Sequence, residues 1–465
     1  MKILIISNLF PPGFIGGYEL GALDVAMGLS RLGHRVTVLT SSYFVDHEQT
    51  LSELDVRRTL MCTAFVHYSP NHHVNRLDGP FYNFTNVRLV GSVLREIRPD
   101  LVMTFNLDGL GVLGLLQYLR SLRVPTVIYI MDNIFTGVEP NSKVAENYLS
   151  IVGGLDFDET TAIIAMSRVV EREVEEAIRT SLSNVEYVPG WIDLRESQGL
   201  PLTPRDGRTR FVYYSGIVPH KGIELVLDAA HVLVREGHVD FTVDVIGGGD
   251  TSMLLEAIDK LGLREIVTYR GVIAKRDAVR TLSAYDALLF PTWHREPFGF
   301  VAVEAAAAGC VPIITAGIGS SEWLVDGVDS LFVERNAKAL SVKMLEVMGM
   351  SDQELLDLRT SAKETANKSF GFDRWLQEIE RIALSLMSGS LPVRTWAQSH
   401  KSESALLTLA TLWRESLDSP WSLRRVLYAY RRNRGLRAVR WVEDVVLPLG
   451  SKRRAHVKGI FLRLP

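Results

Sequence analysis

The sequence has no run of about 18 consecutive apolar residues, so nothing in it reads as a membrane-spanning helix. Its two cysteines, Cys62 and Cys310, are too few for a disulfide framework or a thiolate metal cage, and a reducing cytoplasm is the expected compartment. No His/Cys cluster has zinc-ligand spacing. The one D-x-D, Asp156-Phe157-Asp158, precedes a helix-like stretch instead of ending a strand, which argues against a metal there. The apolar stretch Ile3–Ile6 is too short for the core of a signal sequence, and no small-residue cleavage site follows it. It reads as a first buried strand. A dominant charge of one sign is also missing, because the net charge is only −3. The balance is uneven, however. From Trp421 to Pro465 there are 12 Lys/Arg against 2 Asp/Glu, so that tail carries +10 and the rest of the chain −13.

What is present is a chain of 465 residues, long enough for two or three domains, with a hydrophobic fraction of 47% and a charged fraction of 23% that suit a globular protein. Short apolar runs alternate with helical patterns. Lys2–Ser7, Arg35–Thr40, Asp100–Thr104, Thr126–Ile130 and Thr161–Met166 read as strands of a first half. A Pro/Gly/Arg-rich stretch, Gly199–Arg210, reads as a linker. The alternation restarts with Arg210–Ser215, Phe241–Ile246, Ile266–Arg270, Ala287–Phe290 and Val311–Thr315. This order predicts two α/β halves with parallel sheets. Ligands of such sheets sit outside the carboxyl ends of the strands, so the expected site is a cleft between two facing halves. The expected division is residues 1–198 and 199–369, a helix over 370–390 crossing back to the first domain, and a basic helical extension over 391–465.

Three loops carry the chemistry. In Phe290–Thr315 a strand leads through a loop bearing Glu296 to a helix near Gly299, with Glu304 in its second turn. A helix N-terminus offers unpaired N–H groups and a positive dipole end to a diphosphate. A carboxylate accepts hydrogen bonds from vicinal hydroxyls of ribose or a hexose. The plain alternative is that Glu296 is a solvated acid on an exposed loop and Glu304 a structural one. In Tyr214–Gly222, Lys221 follows Gly216 on a strand-to-helix loop, where an ammonium can meet a phosphate, although such lysines are usually only solvated. Pro11–Glu19 contains Gly16 and Gly17, which allow close approach of backbone to phosphate or simply make a turn. Asp132 follows Thr126–Ile130, and a turn or capping role is the alternative to holding a hydroxyl. Gly247–Asp250 lacks a following G-K-[ST], so a P-loop is excluded. His220 and His294 lie near these loops but are read as ordinary surface histidines.

Taken together, Glu296-Pro297-Phe298-Gly299, Glu304-Ala305, Ala307 and Gly309 resemble the E-P-F-G-x4-E-A-x-A-x-G signature of the retaining family 4 glycosyltransferases of GT-B fold. Lys221-Gly222 resembles the end of that family's G-R-x4-K-G loop, and Gly16-Gly17-Tyr18-Glu19 its G-G-x-E loop. Val188–Asp193 resembles its interdomain segment, and Gly317–Glu322 the loop over the donor base and sugar. The resemblance covers about residues 1–387. It implies two facing Rossmann-like domains with a C-terminal helical extension. It also implies that Glu296 touches donor sugar hydroxyls, Glu304 touches ribose, and N–H groups around Phe298 to Phe300 meet the diphosphate. Gly16, Gly17 and Gly216 would lie along the donor, and Lys221 would assist departure of the leaving diphosphate.

Two departures stand out. Gly216 lies five rather than six residues before Lys221 with no Arg between them, leaving Arg210, Arg276 or Arg295 as candidates for the missing cation. Met131-Asp132 also stands where the family often has His-Asp. The resemblance implies transfer of a sugar, with retention and without a metal or other cofactor, from a UDP- or GDP-type nucleotide sugar to a glycan or lipid-linked acceptor. The rival expectation is a catalytically degenerate protein that binds nucleotide sugar or glycan as a scaffold. For the tail, Leu423, Leu427 and Tyr430 at helical spacing among arginines, then Trp441, suit an anionic membrane surface at the inner face. A basic helix packed on the acidic body suits them equally. No nucleic-acid motif accompanies the charge.

Overall fold

The computed structural model describes residues 1–45, 53–62, 83–132, 159–178 and 181–389. The chain divides into two compact units. The first holds the described residues of Met1–Ala165, Glu171–Glu186 and Ile379–Pro465, and the second holds Met166–Val170 and Tyr187–Glu378.

The first unit is built on β1 (Lys2–Ile6), β2 (Arg35–Ser41), β3 (Asp55–Leu60), β4 (Leu101–Thr104), β5 (Thr126–Ile130), β6 (Thr161–Ala165) and β7 (Val185–Tyr187). Their order in the sheet is β3-β2-β1-β4-β5-β6-β7, and β1 pairs parallel with both β2 and β4. Helices Gly17–Arg31, Phe84–Ile97, Val112–Leu122 and Arg168–Ile178 lie between strands in the chain. The central strands are buried on both faces, which is why KILII, TVIYI and TAIIA are continuous apolar runs rather than alternating ones.

The second unit holds β8 (Thr209–Tyr214), β9 (Phe241–Ile246), β10 (Val267–Gly271), β11 (Ala287–Phe290), β12 (Val311–Thr315) and β13 (Leu331–Val333), in the order β10-β9-β8-β11-β12-β13. All neighbours are parallel, with Phe211 opposite Ala287 and Val212 opposite Leu288. Phe211, Val243, Leu289 and Ile313 from the sheet share one core with Val226 and Leu233 of helix Ile223–Arg235 and with Leu340 and Met344 of helix Ala337–Gly349. Helices Asp352–Ser369 and Phe372–Gly389 follow. Among the described residues no helix is long and apolar enough to cross a membrane.

Both sheets therefore reverse their winding between the first strand and the fourth, at β1/β4 and at β8/β11. Loops leaving the carboxyl ends of those two strands diverge, and the crevice they open is where doubly wound sheets bind ligands.

Candidate active site

The second switch point brings Lys221 and Glu296 together, because one follows β8 and the other follows β11. Lys221 ends a 3-10 turn, Pro219–Lys221, and Gly222 then starts the next helix with φ +80°. A Cβ on Gly222 would sit 2.2 Å from the Pro291 carbonyl oxygen, so only glycine lets the turn lie against the end of β11. The turn is pinned further through the His220 carbonyl, which accepts the Trp293 N–H at 2.9 Å. Arg335 Nη2 donates to the adjacent Pro219 carbonyl at 3.1 Å. From this fixed backbone Lys221 Nζ reaches Glu296 Oε2 at 2.5 Å.

Glu296 does not lie on an exposed loop, as the polar sequence around it predicts. It is 7% exposed, because the 317–322 loop folds over it and the Gly319 N–H bonds the Glu296 carbonyl at 3.0 Å. A Cβ on Gly319 would fall 1.8 Å from the Pro297 carbonyl oxygen, so that overlay also depends on glycine. The second partner of Glu296 is the fully buried Thr292, whose Oγ1 donates to the same Oε2 at 2.9 Å while its carbonyl accepts the Thr315 hydroxyl at 2.7 Å. Thr292 thus aims the carboxylate. Thr292→Val, which keeps the volume and removes the hydroxyl, is expected to lower kcat/KM about tenfold, with Thr292→Ser near wild type in steady-state kinetics.

Next comes helix Phe300–Ala308, apolar except for Glu304 and buried from Ala302 onward, bounded by Gly299 at φ +85° and Gly309 at φ +69°. In its first turn the Ala302 N–H bonds the Gly299 carbonyl at 3.0 Å, and the N–H groups of Phe300 and Val301 have no intrahelical acceptor. The Phe298 ring points into the core, against Phe300 at 5.1 Å and Phe370 at 6.0 Å between centroids. It leaves only its backbone to face a ligand. Gly190 makes room for those rings, since a Cβ there would lie 2.7 Å from Phe298 and 2.8 Å from Phe300.

Glu304 is 6% exposed and forms no hydrogen bond with any described residue. Burial pushes its carboxyl up to about 7, partly offset by the Lys275 ammonium. A buried carboxyl without hydrogen-bond donors is costly unless a ligand supplies them.

Gly216 has room around it and an ordinary φ. The glycines of Gly247–Asp250 serve backbone packing, because a Cβ on Gly247 would lie 1.8 Å from the Ser215 carbonyl oxygen, and one on Gly249 2.4 Å from that of Ile217.

In the first unit, Gly16, Gly17 and Asp132 follow β1 and β5. Glu19 Oε2 accepts the Gly16 N–H at 2.9 Å, and Arg58 holds the carbonyls of Phe10 at 2.9 Å and Pro11 at 2.5 Å. Gly16 and Gly17 themselves are exposed, have no positive φ, and have nothing within 4 Å of a would-be Cβ. Internal packing does not require glycine at either position.

The sequence profile of glycosyl transferases group 1 matches residues 200–369, and that of glycosyltransferase family 4 matches residues 15–196. The chain is a group 1 glycosyltransferase of family 4. Among its relatives, glycogen synthase of Mycobacterium tuberculosis is 28% identical over 340 residues, 70% of this chain and 81% of that enzyme. Two solved structures share the GT-B fold: a glycosyltransferase from Rickettsia africae (TM-score 0.64, 18% identity, 84% of this chain and 100% of that one) and Anabaena HepE in complex with UDP (TM-score 0.61, 18% identity, 83% and 100%).

Within this glycosyltransferase, Arg210 does not replace the cation missing from the Lys221 loop. It lies at the opposite end of β8, bound to the buried Asp286 through Nη2 at 2.8 Å and Nε at 3.1 Å. Arg276 is exposed on the 3-10 turn Lys275–Asp277. Arg295 alone shares the loop of Glu296, with its guanidinium over the Trp293 ring at 5.7 Å. The His220 ring lies tilted against Trp293 with centroids 5.0 Å apart, and His294 is exposed. Among the described residues no group of three His, Cys, Asp or Glu is placed to hold a metal. Asp156-Phe157-Asp158 and residues 391–465 lie outside the described residues. Arg335 and Tyr18 escaped sequence reading because each acts on a segment distant in the chain, and Thr292 because nothing in a local Thr-x-x-x-Glu spacing marks a contact. The G-G-x-E match ran through Tyr18 without giving it a role.

Proposed function

We propose that this glycosyltransferase moves a sugar from a UDP- or GDP-type nucleotide sugar to a glycan or lipid-linked acceptor, with retention of configuration and without a metal ion. The observation that carries the reading is the β8/β11 switch point, where a pinned lysine, a buried carboxylate and a helix N-terminus meet. Anabaena HepE, solved with UDP, and glycogen synthase support this choice of substrate class.

The diphosphate lies at the first turn of Phe300–Ala308, and Lys221 exchanges its bond to Glu296 for a phosphate oxygen. As the glycosidic C–O bond breaks, negative charge grows on the leaving diphosphate, and the ammonium and helix N–H groups stabilise it. Glu296, released from Lys221 and still held by Thr292, accepts hydrogen bonds from sugar hydroxyls. Glu304 takes the ribose hydroxyls. Asp132 holds a hydroxyl of the acceptor or the transferred sugar. The acceptor hydroxyl enters on the face from which the diphosphate departs and passes its proton to the departing phosphate oxygen, so the configuration is retained and nucleoside diphosphate is released. The basic stretch 421–465 would bring the enzyme to an anionic membrane at the cytoplasmic side.

The test is nucleotide release from UDP-, GDP- and ADP-sugars with and without glycan and lipid-extract acceptors, with anomeric configuration read by NMR. Release from one donor, accelerated by an acceptor and giving the retained anomer, supports the reading. Tight donor binding without turnover would favour the scaffold alternative, which Met131 in place of the usual His motivates.

A further inference from the structure

Tyr18 and Glu19 are consecutive, and each holds a different loop of the first unit. Glu19 bonds back onto its own Gly-rich loop through the Gly16 N–H at 2.9 Å, and Asn106 Nδ2 reaches its other oxygen at 3.4 Å. Tyr18 reaches across to the end of β5. Its hydroxyl donates to the Tyr129 carbonyl at 3.1 Å and accepts the Met131 N–H at 2.8 Å, so one oxygen ties both sides of Ile130. Burial pushes the phenol far above its ordinary value, and the donor proton stays in place at any physiological pH.

The last paired position of β5 is Ile130, opposite Ala165 in β6, so Met131 is already past the sheet and Asp132 further out. Without a partner from another element, a buried N–H at Met131 would lack an acceptor. Tyr18 supplies one from the first turn of helix Gly17–Arg31, next to the open positions Gly16 and Gly17.

We propose that Tyr18 is a positioning residue for glycosyl transfer, its hydroxyl fixing Met131 and Asp132 against the Gly16–Gly17 edge. The proposal rests on the reading given above, since it assumes that Asp132 meets a reacting or adjacent hydroxyl. Tyr18 touches no reacting atom itself. Its effect is to hold the Asp132 backbone in one place, and misplacement of such a group by about 1 Å can cost two orders of magnitude in rate.

The experiment is Tyr18→Phe, which deletes one oxygen and keeps the ring. Deuterium exchange of the peptide covering residues 126–132 is expected to quicken, and kcat to fall about tenfold, with donor KM within twofold of wild type. Unchanged exchange over 126–132 would overturn the tie. Faster exchange with unchanged kcat would reduce Tyr18 to a purely structural role and overturn the proposal. A wild type that neither transfers sugar nor releases nucleotide from any donor would overturn the transferase reading, and the positioning role would fall with it. An active wild type with an equally active Tyr18→Phe sinks the positioning role alone.

Discussion

Lys221→Ala is expected to lower kcat for glycosyl transfer by about 10² to 10³, the usual loss when one charge-stabilising group is removed. Donor KM should change much less. The ammonium interacts most strongly with charge that appears only as the diphosphate departs, and interactions stronger in the transition state act on kcat. The position is built for this, since the turn before Lys221 is locked by Gly222 against Pro291 and by the His220 carbonyl on Trp293. The substitution also leaves Glu296 with Thr292 as its remaining partner. Lys221 is partly solvent-exposed but Glu296 is nearly buried, so the loss of the pair should lower stability by about 1 to 3 kcal/mol. Adding Glu296→Gln to Lys221→Ala should restore that stability without restoring kcat. Steady-state kinetics and thermal unfolding of the three variants check both statements. A kcat loss below threefold for Lys221→Ala would remove the lysine from the mechanism.

Glu304→Gln is expected to do two opposite things, stabilising the free protein above neutrality and weakening nucleotide binding by about 10- to 100-fold. The folded carboxyl titrates at about 7, against an ordinary value of 4.5 in the unfolded chain. Between those values the native state holds a proton that the unfolded state has lost, so stability falls as pH rises through the window and is lowest above 7. The difference corresponds to roughly 3 kcal/mol at pH 8. Gln cannot ionise, so the variant should match wild type near pH 5 and unfold several degrees higher at pH 8. With saturating nucleotide the gap at pH 8 should narrow by about 1 to 3 kcal/mol, because the carboxylate gains hydroxyl donors that the amide receives less well. Equal melting temperatures for the two proteins at pH 5 and pH 8 would contradict the account of this buried acid.

The central strands were legible because burial on both faces leaves a continuous apolar run, as in TVIYI and ALLF. β3 (DVRRTL), β7 and β13 were not, since edge strands are short or half-polar and do not differ from loops by pattern. The grouping of residues 187–198 with the second compact unit has no local signal in the sequence. It is set by packing distant in the chain, with Trp191 against Trp375 at 4.1 Å and the Ile192 N–H on the Phe370 carbonyl at 2.8 Å. In the Gly199–Arg210 stretch, side chains from far along the chain hold backbone carbonyls, through Lys363 on Leu200 at 2.6 Å and Arg359 on Thr203 at 2.6 Å. The candidate site was read from its motif residues, whose spacing is local. What motifs could not reveal was burial. Glu296 sits in a polar stretch and becomes buried only because the 317–322 loop returns over it, and Glu304 is left without a hydrogen-bond donor because its helix is enclosed.

The claim on which the rest depends is that the second unit carries a nucleotide-diphosphate site at the β8/β11 switch point. Calorimetric titration of UDP and GDP at pH 8 into wild type, Lys221→Ala and Glu304→Gln tests it most directly. The account predicts that one nucleotide binds the wild type and that each substitution weakens it, Glu304→Gln by at least tenfold. Absence of binding by either nucleotide, or binding that neither substitution alters, would contradict it.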